Sequence, residues 1–202
     1  MPRAGINRSR IAGIAIVAAL ALGACTSTPA VRDDAALASA SDQAFNIGGR
    51  LSAKRGTEGA TANFAWDHAE QRDRIDLSSP FGQVYARIVG AGGSVNVERP
   101  GGATEVYPSW NAMSEALLGA PVPIADLAFW VRGVARADVT ASVERDAHGR
   151  AQVLRQQAWE IVYAYPDDAS ARPSRLVLKY PDVEPVEVRI VVDRWNAEAA
   201  QP

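Results

Sequence analysis

Side chains suited to acid–base or nucleophilic chemistry are few in this 202-residue chain: two histidines and a single cysteine. His68 stands beside Asp67 and Glu70 near the end of a predicted strand, and His148 sits in Asp146-Ala147-His148-Gly149, the composition of a solvated turn. Neither accompanies a Gly-x-Ser-x-Gly elbow or a metal-binding His spacing. The sequence therefore predicts no enzyme, no catalytic residue and no metal site. The unusual chemistry is apolar. In Leu77-Ser78-Ser79-Pro80-Phe81-Gly82-Gln83-Val84, serine, proline and glycine mark a hairpin turn. Such a tip is wet, yet it carries Phe81. Either Phe81 folds back to cap the sheet, or the tip Pro80-Phe81-Gly82 projects as an apolar finger for lipid or an apolar partner.

The cysteine gains meaning from what precedes it. Arg3, Arg8 and Arg10 are followed by the apolar run Ile11 to Ala21 and then by Leu22-Gly23-Ala24-Cys25. A basic segment, a short apolar segment and small residues make a secretory signal over 1–24, too short to span a bilayer core of about 30 Å. Small residues ending in cysteine resemble the lipobox of bacterial lipoproteins. That resemblance implies cleavage before Cys25, which would carry an N-acyl and an S-diacylglycerol group and need no other cofactor. Thr26 follows, where an aspartate would imply retention at the inner membrane, so the resemblance implies the outer membrane, with the protein facing the periplasm.

Three of the 21 basic residues lie in the signal and none of the 23 acidic ones, so the remainder carries a formal net charge of −5. That balance argues against nucleic acid as a partner. Residues 25–44 are small and Ala/Ser-rich, a tether spanning roughly 20–25 Å root-mean-square, with room for a short helix over Ala35 to Ala44. No repeat or second linker divides the rest, so 45–195 is one domain and 196–202 a tail.

Within that domain apolar residues alternate. Phe45, Ile47, Leu51 and Ala53 share a face opposite Asn46, Arg50, Ser52 and Lys54, the pattern of a half-buried antiparallel strand. Further strands end at local turns, Gly90 to Gly93 among them, and make a meander. The period then changes. Ser109 reads as the N-cap of a helix with Trp110, Met113 and Leu117 on its apolar stripe and Gly119 as its stop; Ile124, Leu127 and Val131 mark a second helix ended by Gly133. Strands return over Trp159 to Tyr165, Leu176 to Tyr180 and Val186 to Val192. The fold class expected is α+β: a curved antiparallel sheet forming an incomplete, half-open β-barrel, with short helices against its apolar face. That face is either a closely packed core or the wall of a partly empty barrel, a common holder of lipophilic ligands.

The ordered set Cys25; Gly49-Arg50-Leu51; Phe64-Ala65-Trp66; Leu77 to Gly82; Val122-Pro123-Ile124 with Leu127, Trp130, Val131 and Gly133; Trp159 to Tyr163; and Ile190 to Trp195 resembles the LolB family of the lipoprotein-localisation pathway. The resemblance covers nearly the whole chain after the signal. It implies helices acting as a lid over a hydrophobic cavity, and a receptor that takes lipoproteins from the periplasmic carrier LolA and releases them into the outer membrane. The partners implied are a LolA-like carrier, the acyl chains of cargo and the inner leaflet of the outer membrane, with the protein a monomer. Leu51, Phe64, Trp66, Ile75, Leu77, Trp130, Ile161 and Tyr163 are the expected acyl-chain lining. Phe81 falls where the family carries an apolar loop residue, often Leu, used in membrane insertion. The alternative is a scaffolding outer-membrane lipoprotein that holds no lipid.

Overall fold

The computed structural model describes residues 43–69, 72–91, 93–119 and 121–196. The expected signal (1–24), Cys25, the tether to residue 42 and the tail from 197 lie outside the described residues.

Alternating sequence becomes strand wherever turn residues bracket it. Six strands come first: β1 (Phe45–Arg55), β2 (Glu58–Ala69), β3 (Arg72–Ser78), β4 (Val84–Ala91), β5 (Ser94–Glu98) and β6 (Thr104–Tyr107). Helices α1 (Trp110–Leu118) and α2 (Ile124–Trp130) follow. Five strands complete the domain: β7 (Ala141–Arg145), β8 (Ala151–Gln156), β9 (Trp159–Ala164), β10 (Arg175–Tyr180) and β11 (Val186–Asn196). All pairings are antiparallel, in the order β6-β5-β4-β3-β2-β1-β11-β10-β9-β8-β7. Two meanders are thus joined through β1 and β11, and the terminal strands β6 and β7 do not pair, so the sheet is not closed.

Register fixes which face is buried. Ile47 lies opposite Trp66 and Trp195, and Leu51 opposite Ala62 and Ile190. Ile75 lies opposite Trp66 and Ile88, and Ile161 opposite Leu178 and Leu154. Together these side chains form one continuous apolar cluster. Two bulges interrupt the ladders. One falls between Gly48 and Gly49, where Asp193 is the extra residue on β11; the other falls between Leu77 and Ser78, where Tyr85 is the extra residue on β4.

The helices cover the buried face. Ser109 caps α1 by accepting from the Ala112 N–H at 3.1 Å, and Gly119 ends it at φ +66°, where a side chain would be strained. Met113 is buried, but Leu117 is not: it and Leu118 are 38% and 43% exposed. The three- and four-residue spacing overestimates the stripe because the end of α1 reaches the open end of the sheet, beside Arg55. α2 buries Ile124, Leu127, Ala128 and Trp130. It ends at Trp130, Val131 being its C-cap, and Gly133 at φ +77° completes the turn that follows.

Gly90 is also not the turn residue its sequence suggests. It lies within β4, opposite Asp73 and Val95, and a Cβ there would stand 2.2 Å from the Trp110 ring. The missing side chain is what lets α1 settle on the sheet. Gly90→Ala should cost about 1–3 kcal/mol, the usual overpacking penalty, read as a lowered midpoint in urea denaturation.

Candidate functional site

Three regions meet the expectations of the sequence: the loop between β3 and β4, the apolar face beneath the helices, and the open end of the half-closed sheet. In the loop, the Ser79 N–H donates to the Gln83 carbonyl and the Gly82 N–H to the Ser79 carbonyl, both at 2.9 Å. Gly82 adopts φ +84°. The Asn63 side-chain amide donates to the Ser79 carbonyl at 3.1 Å and roots the loop on β2. The bulge at Tyr85 re-aims the strand leaving it. The loop is therefore built, and Phe81 is 94% exposed at its tip. Of the two readings of Phe81, the structure has the projecting one. Val84 and Tyr85 at the base are exposed too.

The eight expected lining residues come together on the buried face, in the same cluster. Phe64, Trp66, Ile75, Trp130, Ile161 and Tyr163 are buried, and Leu51 and Leu77 pack partly buried against them. Trp130 reaches Trp159 at a ring separation of 6.4 Å, and Trp159 in turn meets Tyr180 at 5.1 Å. These aromatic side chains fill the space under α2.

Open volume lies instead where strands turn. A cleft of about 460 Å³ runs between the β1–β2 hairpin and the end of α1, walled by Ala53, Leu117, Leu118, Val122, Val186 and Val188. A wider one of about 790 Å³ is walled by Trp159, Tyr180, Pro181, Pro185 and Val186. Val186 belongs to both, and both lie at the end carrying the β1–β2, β8–β9 and β10–β11 turns. Each falls within the roughly 300–1,000 Å³ of ordinary ligand pockets. Sequence alone pointed to large aromatics as lining; the open walls are mostly small or β-branched, and only the register of β1 with β11 shows that Ala53, Val186 and Val188 share a face.

Two polar clusters inside the apolar layer were not legible. Gln156 is buried and makes four bonds: its Oε1 accepts from Trp130 Nε1 at 2.8 Å and from the Arg136 N–H at 3.1 Å, and its Nε2 donates to the carbonyls of Arg136 at 2.9 Å and Val139 at 2.8 Å. It ties α2 and the chain after it to β8. The Arg136 guanidinium adds an ion pair to buried Asp126 at 2.9 Å. At the opposite end, Asp73 Oδ1 lies 2.7 Å from both Trp66 Nε1 and His68 Nδ1, and Phe45 stacks on His68 at 4.8 Å. His68 is thus held by Asp73, its partner across the β2–β3 hairpin, rather than by its sequence neighbour Asp67. The in-facing position of Asp73, two residues before Ile75, was the available signal. His148 lies in an exposed turn 3.5 Å from Asp168. Among the described residues, no His, Cys, Asp and Glu group has metal-binding geometry.

One buried atom lacks a partner where a lipid carbonyl would fit. The Tyr163 hydroxyl finds no hydrogen bond, and burial pushes its pKa well above the usual tyrosine value.

The family model described as "Outer membrane lipoprotein LolB" matches residues 43–195. Among curated relatives, the outer-membrane lipoprotein LolB of Chromobacterium violaceum is 31% identical over 186 residues, covering 88% of this chain and 94% of the relative. That of Cupriavidus necator is 32% identical over 196 residues, covering 93% and 98%. Among solved structures, a LolA superfamily protein from Nitrosomonas europaea superposes with a TM-score of 0.50 at 10% identity, over 80% of this chain and 88% of that one. The last likeness is one of fold.

Gln156→Leu strands the Trp130 N–H and the backbone groups that it serves, and should cost about 3 kcal/mol or more by thermal or urea denaturation. Tyr163→Phe removes an unsatisfied hydroxyl and should leave stability unchanged or raise it by about 1 kcal/mol, measured by the same melt.

Proposed function

The chain belongs to the LolB family, whose role is in lipoprotein localisation at the outer membrane, and from that membership we propose that it is the receptor that accepts lipoproteins from a LolA-type carrier and inserts them into the inner leaflet of that membrane. It works as a monomer, facing the periplasm, anchored through the acyl groups on Cys25. The acyl chains of cargo enter the apolar layer beneath α1 and α2, which act as a lid, and Leu51, Phe64, Trp66, Ile75, Leu77, Trp130, Ile161 and Tyr163 line their path. No bond is made or broken, and no catalytic residue is needed.

The mechanism is a descent in free energy. Each methylene withdrawn from water contributes roughly 0.8 kcal/mol, so a cargo chain cannot cross the periplasm uncovered. Without an energy source, transfer runs from a weaker holder to a stronger one and ends in the bilayer. The receptor therefore holds acyl chains by non-directional apolar contact. Access begins at the open end, where Leu117 and Leu118 already border a cleft. α1 is the lid element that lifts, because α2 is fixed by Gln156 and Arg136 while α1 rests on Gly90 through Trp110 and on Val122 through the Ser114 hydroxyl, which accepts from its N–H at 2.8 Å. Lifting α1 converts buried wall into lining.

The observation that carries this reading is Phe81. A large apolar side chain held 94% in water by a hydrogen-bonded loop has no role in the core. It is suited to entering a bilayer, and it couples unloading to membrane contact. The close packing of Trp130, Ile161 and Leu178 favours a second reading, a scaffolding lipoprotein whose interior stays filled, and the same assay separates the two. With cargo preloaded on the receptor, Phe81→Glu should slow release into liposomes about tenfold or more, given the roughly 1.5–3 kcal/mol that burial of a phenylalanine contributes. Phe81→Leu should release at the original rate. Release by Phe81→Glu at that rate would remove the membrane role of the loop, and failure of the native chain to take up cargo would favour the scaffold.

A further inference from the structure

We propose that the groove on the outer face of the sheet, at the root of the Phe81 loop, binds the headgroup of a zwitterionic phospholipid bearing a primary ammonium. The proposal rests on the reading of Phe81 as a membrane-entering tip and adds a site that this reading does not contain.

The groove encloses about 550 Å³ and is bordered by Arg50, Asn63, Asp76, Asp193 and Arg194 over a low floor at Gly49 and Ala65. It ends at Ser78 and Val84, the residues from which the loop departs. Both bulges of the sheet open onto it, placing Asp193, Arg194 and Val84 where regular ladders would not. The Arg194 guanidinium lies over Gly48, with Nη2 only 2.6 Å from where a Cβ would stand, so any larger residue there would dislodge it. Among the described residues, Arg194 has no carboxylate in ion-pair range, and Arg50 engages only Asp193, through two bonds of 3.2 Å. Asp76 accepts from Arg87 at 2.7 Å and from Arg74 at 3.2 Å. Burial would raise its pKa, but those two bonds outweigh it and hold the group below the ordinary aspartate value.

Charge and size then select a ligand class. Two guanidiniums with unused donors offer a phosphate site, since arginine forks match phosphate oxygens. Two ionised carboxylates beside them offer a site for a cation. With Arg50, Arg194, Asp76 and Asp193 the rim is neutral overall, unlike a basic patch for an anionic membrane. A phosphate and an ammonium joined by a short linker match both halves. A primary ammonium can donate to Asp193 and Asp76; a quaternary one cannot. The geometry of insertion agrees. Phe81 is three residues beyond Ser78 and reaches roughly 10 Å at most from it. The headgroup layer of each leaflet is roughly 5–8 Å thick. With Phe81 at the acyl boundary, the groove stands at headgroup level, and exposed Val84 and Tyr85 stand between, with Tyr85 suited to the interface.

The test uses the mature chain carrying Cys25→Ala, so that no lipid anchor masks binding, in flotation with vesicles of phosphatidylcholine alone, of phosphatidylcholine with phosphatidylethanolamine, and of phosphatidylcholine with phosphatidylglycerol. The protein should bind the ethanolamine vesicles best. Combining Arg50→Gln and Arg194→Gln should weaken that binding about tenfold, the effect of losing a charge-assisted hydrogen bond, and leave phosphatidylcholine binding unchanged. Asp193→Asn alone should lower the preference for ethanolamine over glycerol headgroups. Equal binding to all three vesicles, strongest binding to phosphatidylglycerol, or an unaltered preference in the double variant would overturn the proposal. Phe81→Glu should lose all three vesicle types; if it binds like the parent, the membrane-tip reading itself fails, whatever the headgroup result. Melting temperatures of all variants within the error of the parent establish that the fold is intact.

Discussion

An open antiparallel sheet with one wholly apolar face must hide that face, and here two short helices are all that lie over it. Everything else in the domain answers to this constraint. Eleven strands with their natural twist coil around a common interior, and the face they bury becomes one continuous cluster running from Phe45 to Val192. The cover is thin and unevenly fastened. Gln156 and Arg136 fix α2 through buried polar bonds; α1 depends on the fit of Trp110 against Gly90 and leaves Leu117 and Leu118 at the edge of a cleft.

This arrangement explains how one domain can be both stable and receptive. Close-packed interiors resist insertion, and the interior beneath α2 is of that kind, with Trp130 and Ile161 wholly withdrawn from water. At the end carrying the β1–β2 and β10–β11 turns, the walls are alanine and valine and space is already present. The Phe81 loop belongs to the other side of the same logic. It is kept apolar and exposed by its own backbone hydrogen bonds, independent of the interior, so contact with a bilayer need not disturb the core.

Much of this was legible in the residues. Alternation located the strands, Ser109 and Gly119 bounded α1, and the order of apolar and turn residues carried the resemblance to LolB. The family match over residues 43–195 bears that resemblance out. What periodicity does not encode is contact between distant elements. Gly90 looks like a turn because glycine usually is one; its real partner is the Trp110 ring twenty residues on. Leu117 has helical spacing, but spacing says nothing of where the sheet stops. Gln156 and Asp73 read as ordinary polar residues until pairing turns them inward. Arg50 read as a simple exposed strand residue, and the bulge that brings Asp193 beside it has no signature in composition. The open clefts are likewise products of register between β1 and β11, invisible along either strand alone.

The central claim is that the apolar layer beneath the helices accepts acyl chains from a carrier. Its most direct test is to load a LolA-type carrier with a triacylated lipoprotein, mix it with the mature chain carrying Cys25→Ala, separate the two proteins by size and blot for cargo. Cargo found on this protein, with the carrier emptied to match, is the result predicted. Cargo remaining on a carrier that delivers normally to another family member would contradict it.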